Sequence, residues 1–287
     1  MILISIFNNY NNMSTINKLI VFFALLTACK QSPPPDIQLP DEKGDLFFSG
    51  YYWNYKDRPT PVGPGPNRFL GTDKGAWVDS AGRLHLKIQK INNLWYCSEI
   101  ISVKEFGYGT YIFTCESDIS AFDERTVFGL FTWDDYSFQK QANSEVDIEF
   151  SKWNVPGDSL TVTYSVQPVI FSNPVPYKER TYKPLIASKY VKKPATYMFK
   201  WTPDLITWEG YEGEVYPGSN KTSSWQFDKS NISRQKIEGS NTSDPIVIPA
   251  PSDSTNVRFN FWLLNGQAPA NGKDHEIVVK NFRFIPL

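Results

Sequence analysis

The stretch Ser144-Glu145-Val146-Asp147-Ile148-Glu149-Phe150 alternates acid and hydrocarbon without a break. Successive side chains of a β-strand point to opposite faces, so Val146, Ile148 and Phe150 share one face and Glu145, Asp147 and Glu149 the other. The apolar set anchors the strand in a core, and the acids therefore project from the opposite face of the same sheet. No basic residue is interleaved to neutralise them. A solvated face ordinarily mixes signs, because adjacent like charges are destabilising. A row of one sign gains nothing structurally, and it reads as a place where acids with diverging pKa values do chemistry.

Working outward, the same period of two recurs in Leu84–Gln89, Trp95–Val103, Gly109–Glu116, Val127–Trp133, Leu160–Gln167, Tyr197–Trp201, Thr207–Tyr211, Val257–Leu264 and Glu276–Phe284, separated by Gly, Pro, Asn and Asp clusters. No segment keeps apolar residues at helical spacing over three turns, and no repeat of 20 to 50 residues is visible. An all-β sandwich of two antiparallel sheets is the natural solution, since each sheet must bury one face against the other. Thr60 to Asn67, rich in Pro and Gly, is expected to be loop, and Pro217 to Pro251 a long irregular excursion of the kind that often borders a binding site.

The 287 residues carry 29 basic and 30 acidic side chains, a formal net charge of −1. That balance, with no basic run, lacks the footprint of nucleic-acid binding. Aromatics reach 15%, with 9 Trp and 15 Tyr, which excludes intrinsic disorder and hints at flat stacking surfaces. Two His and three scattered Cys assemble no zinc constellation. From Met13 the chain reads MSTINKLIVFFALLTAC, a charged start and an apolar run too short to span a bilayer, as in a signal peptide. Residues 1–28 are expected to be that signal, with Met13 an alternative start. Residues 29–40 would form a Pro-rich spacer, and 41–287 the globular domain. In an oxidising compartment Cys97 and Cys115 are candidates for a disulfide, being symmetric about Phe106, with two free thiols the alternative.

Glycoside hydrolysis needs two carboxyl groups flanking the scissile bond, about 5–5.5 Å apart for retention of configuration and roughly 6.5–9.5 Å for inversion. Positions 145 and 149 have Cα atoms about 13 Å apart at roughly 3.3 Å per residue. Two Glu arms leaning together, each closing about 3–4 Å, leave a gap near ~6 Å, which admits the retaining geometry without establishing it. Crowding raises the pKa of one acid, and Asp147 between the two Glu can hydrogen-bond one and keep the other protonated. On the next polar face, Thr161, Thr163, Ser165 and Gln167 alternate with apolar residues, so Gln167 could reach a sugar hydroxyl or be an ordinary exposed amide.

The SEVDIEF stretch resembles the signature of glycoside hydrolase family 16, the concanavalin A-like jelly-roll enzymes that include lichenases, laminarinases, agarases and xyloglucan transferases. Gly129-Leu-Phe-Thr-Trp133, Thr196 to Trp208 and Asn260-Phe-Trp262 resemble strands around that signature, so the similarity covers most of residues 45–287. The resemblance implies a sandwich with a concave cleft, Glu145 as nucleophile, Asp147 as its assistant and Glu149 as general acid/base. Phe131, Trp133, Asn260 and Trp262 match positions that line the sugar cleft. The single residue between Asp147 and Glu149 is the spacing of lichenase-like and xyloglucan-active members, which favours a β-glucan containing some 1,4 linkage. Cys97 and Glu99 stand near a position where lichenases carry a cleft-lining Arg, so the subsites are expected to differ. Val279-Lys280-Asn281 falls near an Asp that in many relatives helps bind structural calcium; that departure argues against calcium, and no cofactor or metal is expected. Leu26-Thr-Ala-Cys29 resembles a bacterial lipobox, implying lipidation at Cys29 and a lipid-anchored envelope protein. A monomer acting on a polysaccharide is the expected form. A transglycosylase would use the same residues, and a non-catalytic lectin-like domain or an envelope adhesin remain the alternatives, since fold alone does not fix function.

Overall fold

The structure, a computed structural model, describes residues 43–157, 161–169, 180–186, 194–228 and 248–287. All of them belong to one compact unit, Leu39–Leu287; Cys29, the signal segment and the Pro-rich stretch lie outside the described residues.

Two antiparallel sheets form a jelly-roll sandwich. The front sheet runs, edge to edge, β1 (Leu46–Phe48), β2 (Tyr51–Tyr55), β7 (Leu94–Glu105), β16 (Asn256–Leu263), β9 (Thr126–Trp133), β10 (Val146–Ser151), β11 (Thr161–Val166) and β12 (Thr181–Tyr182). The back sheet runs β5 (Ala76–Val78), β6 (Leu84–Ile91), β17 (His275–Pro286), β8 (Gly109–Cys115), β13 (Ala195–Trp201), β14 (Leu205–Glu212) and β15 (Lys221–Asp228). The end of β6 leaves the back sheet to pair with the start of β7, joining the layers. A small outlying pair, β3 (Arg58–Val62) and β4 (Asn67–Phe69), attaches through a parallel contact of β4 with β7.

The core between the sheets is aromatic. Phe113 of β8 meets Phe259 of β16 edge-on at 5.6 Å, and Phe150 of β10 meets Tyr197 of β13 at 4.8 Å. Val146, Ile148 and Phe150 are fully buried, each contributing roughly 1.5–3 kcal/mol. That anchorage outweighs the mutual repulsion of the acids on the other face, so β10 keeps its register. Trp208 of β14 adds a tie from the back sheet, donating its Nε1 hydrogen to the Asp147 carbonyl at 3.1 Å.

All ten runs with period-two alternation are strands. Two expectations about loops need correction. Lys221–Asp228, inside the expected excursion, is strand β15: Ser223, Trp225 and Phe227 turn inward, and Trp225 stacks on Trp208 at 4.6 Å. Its Ser-rich composition hid the alternation. Thr60 to Val62 and Asn67 belong to β3 and β4, where Pro is tolerated because the pairing is short and at an edge. The expected disulfide is also corrected, since Cys97 and Cys115 are free and buried. The Phe106-Gly107-Tyr108 link is not a hairpin; it carries the chain from the front sheet to the back one, so the two thiols lie in different layers. Cys97 sits beside Asn67, with Sγ to Oδ1 at 3.4 Å, while Cys115 is paired in register with Ala195 and Val279.

Candidate active site

β10, with Glu145 immediately before it, presents Glu145, Asp147 and Glu149 to a groove of about 420 Å³ on the outer face of the front sheet. Phe131, Trp133, Asn260 and Trp262 line the same groove. Backbone register explains why they converge. Asn260 of β16 pairs with Gly129 of β9, which pairs with Glu149 of β10 and so leads to Thr163 of β11. One step along, Arg258, Phe131, Asp147 and Ser165 form a second transverse row. Gly129 is required in the first row, because a Cβ there would stand 2.4 Å from Asn260 Oδ1. That oxygen is buried and has no hydrogen-bond partner among the described residues. It is an unpaired acceptor on a residue of the groove lining.

The loop entering β10 is strained and heavily tied. Ala142, Asn143 and Ser144 all adopt positive φ, at 49°, 60° and 52°, a conformation costly for residues with a Cβ. Asn143 Nδ2 donates to the Asp134 carbonyl at 2.8 Å, and Ser144 Oγ to the Ala250 carbonyl at 2.8 Å. Thr132 Oγ1 donates to the Ser144 carbonyl at 2.8 Å. Asp134 is the hub, accepting from the Tyr136 amide at 2.9 Å, Ser254 at 3.0 Å and Ser252 at 2.6 Å. These bonds hold the turn that delivers Glu145 to the groove.

Three carboxyl groups in one desolvated row cannot all ionise at neutral pH. Burial is the main cause that raises each of them. The charges of Asp147 and Glu149 raise Glu145 further, while Arg258 pulls it down. Asp147 is pushed up to about 7, moderated by hydrogen bonds from Gln167 and Glu145. Glu149 is pushed up to about 8, with the charge of Asp147 adding to burial and Lys183 opposing it. The row therefore shares protons near neutrality, and its titration belongs to the group rather than to single residues.

Gln167 is placed differently from the sugar-contacting role expected of it. Its Nε2 donates to Asp147 Oδ2 at 3.2 Å and its Oε1 accepts from the Val169 amide at 2.5 Å, so it serves Asp147 and is absent from the groove lining. At one end of the groove lies a charged cluster that sequence reading passed over apart from Glu99. Glu99, only 2% exposed, receives Lys56 at 2.8 Å and Arg258 at 3.4 Å. Arg258 also donates to Asp135 at 2.8 Å, and its guanidinium lies 5.5 Å from the centre of the Trp133 ring. Asn260 and Trp262 are assigned through the family resemblance; Arg258 stands two residues before Asn260 on the same strand and so shares its face. Among the described residues no group of His, Cys, Asp and Glu side chains is arranged to hold a metal ion.

No protein-family model matches the chain, and no curated protein matches it. Solved structures do. A Bacillus licheniformis β-glucanase aligns over 82% of this chain and 92% of its own at 17% identity, with a TM-score of 0.52. A Bacteroides ovatus mixed-linkage-glucan enzyme of glycoside hydrolase family 16, solved with a G4G4G3G product, aligns over 85% and 98% at 15% identity and a TM-score of 0.55. A Mycobacterium tuberculosis protein described as an immunostimulatory antigen and pseudo β-1,3-glucanase aligns over 82% and 91% at 12% identity and a TM-score of 0.54. With the groove, the acidic strand and these alignments together, the chain has the lichenase- and laminarinase-like fold of the glycoside hydrolase family 16 glucanases.

Proposed function

We propose that this protein is a retaining endo-glycoside hydrolase that cleaves a β-linked glucan through a covalent glycosyl-enzyme intermediate. The observation that carries the reading is the acidic row itself: three carboxyl groups on one face of a rigid strand, in an aromatic-lined groove, at pKa values raised so that at least one proton is retained near neutrality. A retaining glycosidase needs that mixed state, one carboxylate to attack and one carboxylic acid to give its proton.

In this scheme the Glu145 carboxylate attacks the anomeric carbon while Glu149 transfers its proton to the departing glycosidic oxygen. The new C–O bond to Glu145 replaces the one broken. Glu149, now ionised, then takes a proton from a water that attacks the same carbon and releases Glu145. Asp147 lies between them, hydrogen-bonded to Glu145, and can share a proton with the nucleophile as its charge rises and falls. The assignment of Glu145 as nucleophile rests on the family resemblance and not on the titration order. Trp133 and Trp262 offer faces for sugar stacking, and Asn260 lines the groove beside them. The mixed-linkage product bound to the Bacteroides ovatus relative supports a β-glucan as substrate. Cys29 as a lipid anchor at the cell envelope completes the proposal.

Glu145→Ala should abolish release of reducing ends from a susceptible glucan, with retention followed by NMR of the first-formed anomer. A 2-deoxy-2-fluoro glycoside should label Glu145, as read by peptide mass spectrometry. Unchanged turnover in the variant removes Glu145 from its role. The pseudo-glucanase with the same fold favours a second reading, a glycan-binding protein without turnover. Binding of oligosaccharides with no hydrolysis by the wild type would establish it.

A further inference from the structure

Arg258 is 6% exposed inside a groove whose business is with neutral sugar. Its guanidinium is immobilised on three sides, by Asn256 Oδ1 at 2.8 Å, Asp135 Oδ2 at 2.8 Å and Glu99 Oε1 at 3.4 Å. Along the strands, Arg258 pairs with Phe131 and Phe131 with Asp147, so Arg258 shares a transverse row with the acidic strand; its guanidinium lies 5.5 Å from the centre of the Trp133 ring, in the groove that Glu145 also lines.

The charges of this end of the groove do not cancel. Glu99 is shared by two cations, Lys56 and Arg258, and its side chain is 1% exposed. Asp135 is 60% exposed, so water screens it strongly. The desolvated part of the cluster, two cations and one anion, therefore keeps one net positive charge. Arg58, the other cation of the lining, is exposed and correspondingly screened.

We propose that Arg258 is a positioning residue for the nucleophile, a fixed positive charge held by Asp135, Glu99 and Asn256 that selects the anionic form of Glu145 within the acidic row. The inference rests on the assignment of Glu145 as nucleophile. It answers a difficulty in that assignment, since Glu145 bears the load of two neighbouring acids, and Arg258 is the charge that opposes them. The charged groups around Glu145 are Asp147 and Glu149 on its own strand, Arg258 from β16, Asp135 after β9, and Glu99, Lys56 and Arg58 beyond them. Lys183 acts on Glu149 instead.

The test compares wild type with Arg258→Gln, Arg258→Lys and Asp135→Asn, by the pH profile of kcat/KM on a susceptible β-glucan and by 13C titration of the Glu145 carboxyl, which needs no turnover. Loss of the positive charge in Arg258→Gln should move the acid limb and the Glu145 titration up by about one pH unit. Arg258→Lys should stay near wild type. Asp135 is screened as a charge but anchors the guanidinium at 2.8 Å, so Asp135→Asn should loosen Arg258 and move both readouts up by less than Arg258→Gln does. A merely structural role predicts falling activity with no displacement of the Glu145 titration. The proposal is overturned if Arg258→Gln leaves the titration in place, if Arg258→Lys moves it equally, or, should Arg258→Gln fail to fold, if Asp135→Asn moves it down or not at all. A wild type that hydrolyses no glucan while the Glu145 titration is still displaced as expected would refute the proposed function and leave the electrostatic coupling standing.

Discussion

Replacing Glu149 by Gln should stabilise the protein at high pH and leave its stability nearly unchanged at low pH. The Glu149 carboxyl rises from 4.5 in the unfolded chain to about 8 in the fold, so between those values the native state holds a proton that the unfolded state has lost. Stability increases with pH only where the unfolded state binds more protons; here the native state binds more, and stability falls as pH climbs from about 4.5 to about 8. At about 1.4 kcal/mol per pH unit the full rise corresponds to at most about 5 kcal/mol. Glu149 is partly open to groove water, so solvent screening reduces this to about 2 kcal/mol, roughly 4–8 °C in Tm for a domain of this size. Gln keeps the volume and removes the ionisation. The assay is denaturant unfolding of wild type and Glu149→Gln at pH 4 and pH 9, with turnover measured alongside. A gap between the two proteins at pH 9 that closes at pH 4 is expected. Equal stabilities at pH 9, or a Gln variant less stable there, would refute the claim that the groove desolvates this carboxyl.

Gly129→Ala sets a methyl 2.4 Å from Asn260 Oδ1 and should cost about 1–3 kcal/mol by overpacking, with glucan turnover lost through displacement of Asn260 beside Glu149; unfolding curves and kinetics report both. Asn143→Ala loses the bond to the Asp134 carbonyl and puts Ala at a left-handed φ, so a loss of about 1–3 kcal/mol is expected, together with a lower kcat as the turn before Glu145 loosens. Removing the donor to Asp147 in Gln167→Ala should let that carboxyl titrate at higher pH, because the bond from Gln167 lowers it; the acid limb of the pH profile should follow. Burial pushes both the Cys97 and the Cys115 thiol up to about 12, so neither should react with a disulfide reagent at pH 8 until the protein unfolds, and reducing agent should leave Tm unchanged.

The parts of the fold legible in the sequence were those where one face is hydrocarbon and the other is not. Val146, Ile148 and Phe150 announce a core strand, and the acids between them announce their own face; β9 and β16 read the same way. β15 was missed because Ser223 occupies one of its inward positions, and β3 and β4 because their prolines obey edge rules rather than central ones. The Cys97–Cys115 pairing failed for a different reason. Symmetry about Phe106 is a property of chain distance, whereas a sandwich decides at each turn whether the next strand returns to the same sheet or crosses to the other. Gln167 was placed on the correct face and given the wrong partner, since alternation fixes direction and says nothing of the 3.2 Å that separates its amide from Asp147. Arg258 was legible by face alone, but its significance depends on Glu99, 159 residues away, which no local pattern links to it.

The sandwich does not by itself separate an enzyme from a binder, because the same fold occurs in a protein described as a pseudo-glucanase. The acidic row bears on the choice through free energy. A strand that crowds three carboxyl groups into a desolvated groove, fed by three consecutive residues at positive φ, lowers the stability of the protein that carries it. A binding groove gains nothing from that arrangement: neutral amides would accept and donate to sugar hydroxyls with less repulsion. Glu145→Gln and Glu149→Gln should therefore behave alike in either case as regards stability at high pH, and differ in what is lost. For a binder, oligosaccharide affinity by calorimetry should persist or improve with no activity to lose. For a hydrolase, affinity should persist while turnover collapses in both variants, and only Glu149→Gln should still accumulate a glycosyl adduct, on Glu145, from a substrate whose leaving group needs no proton.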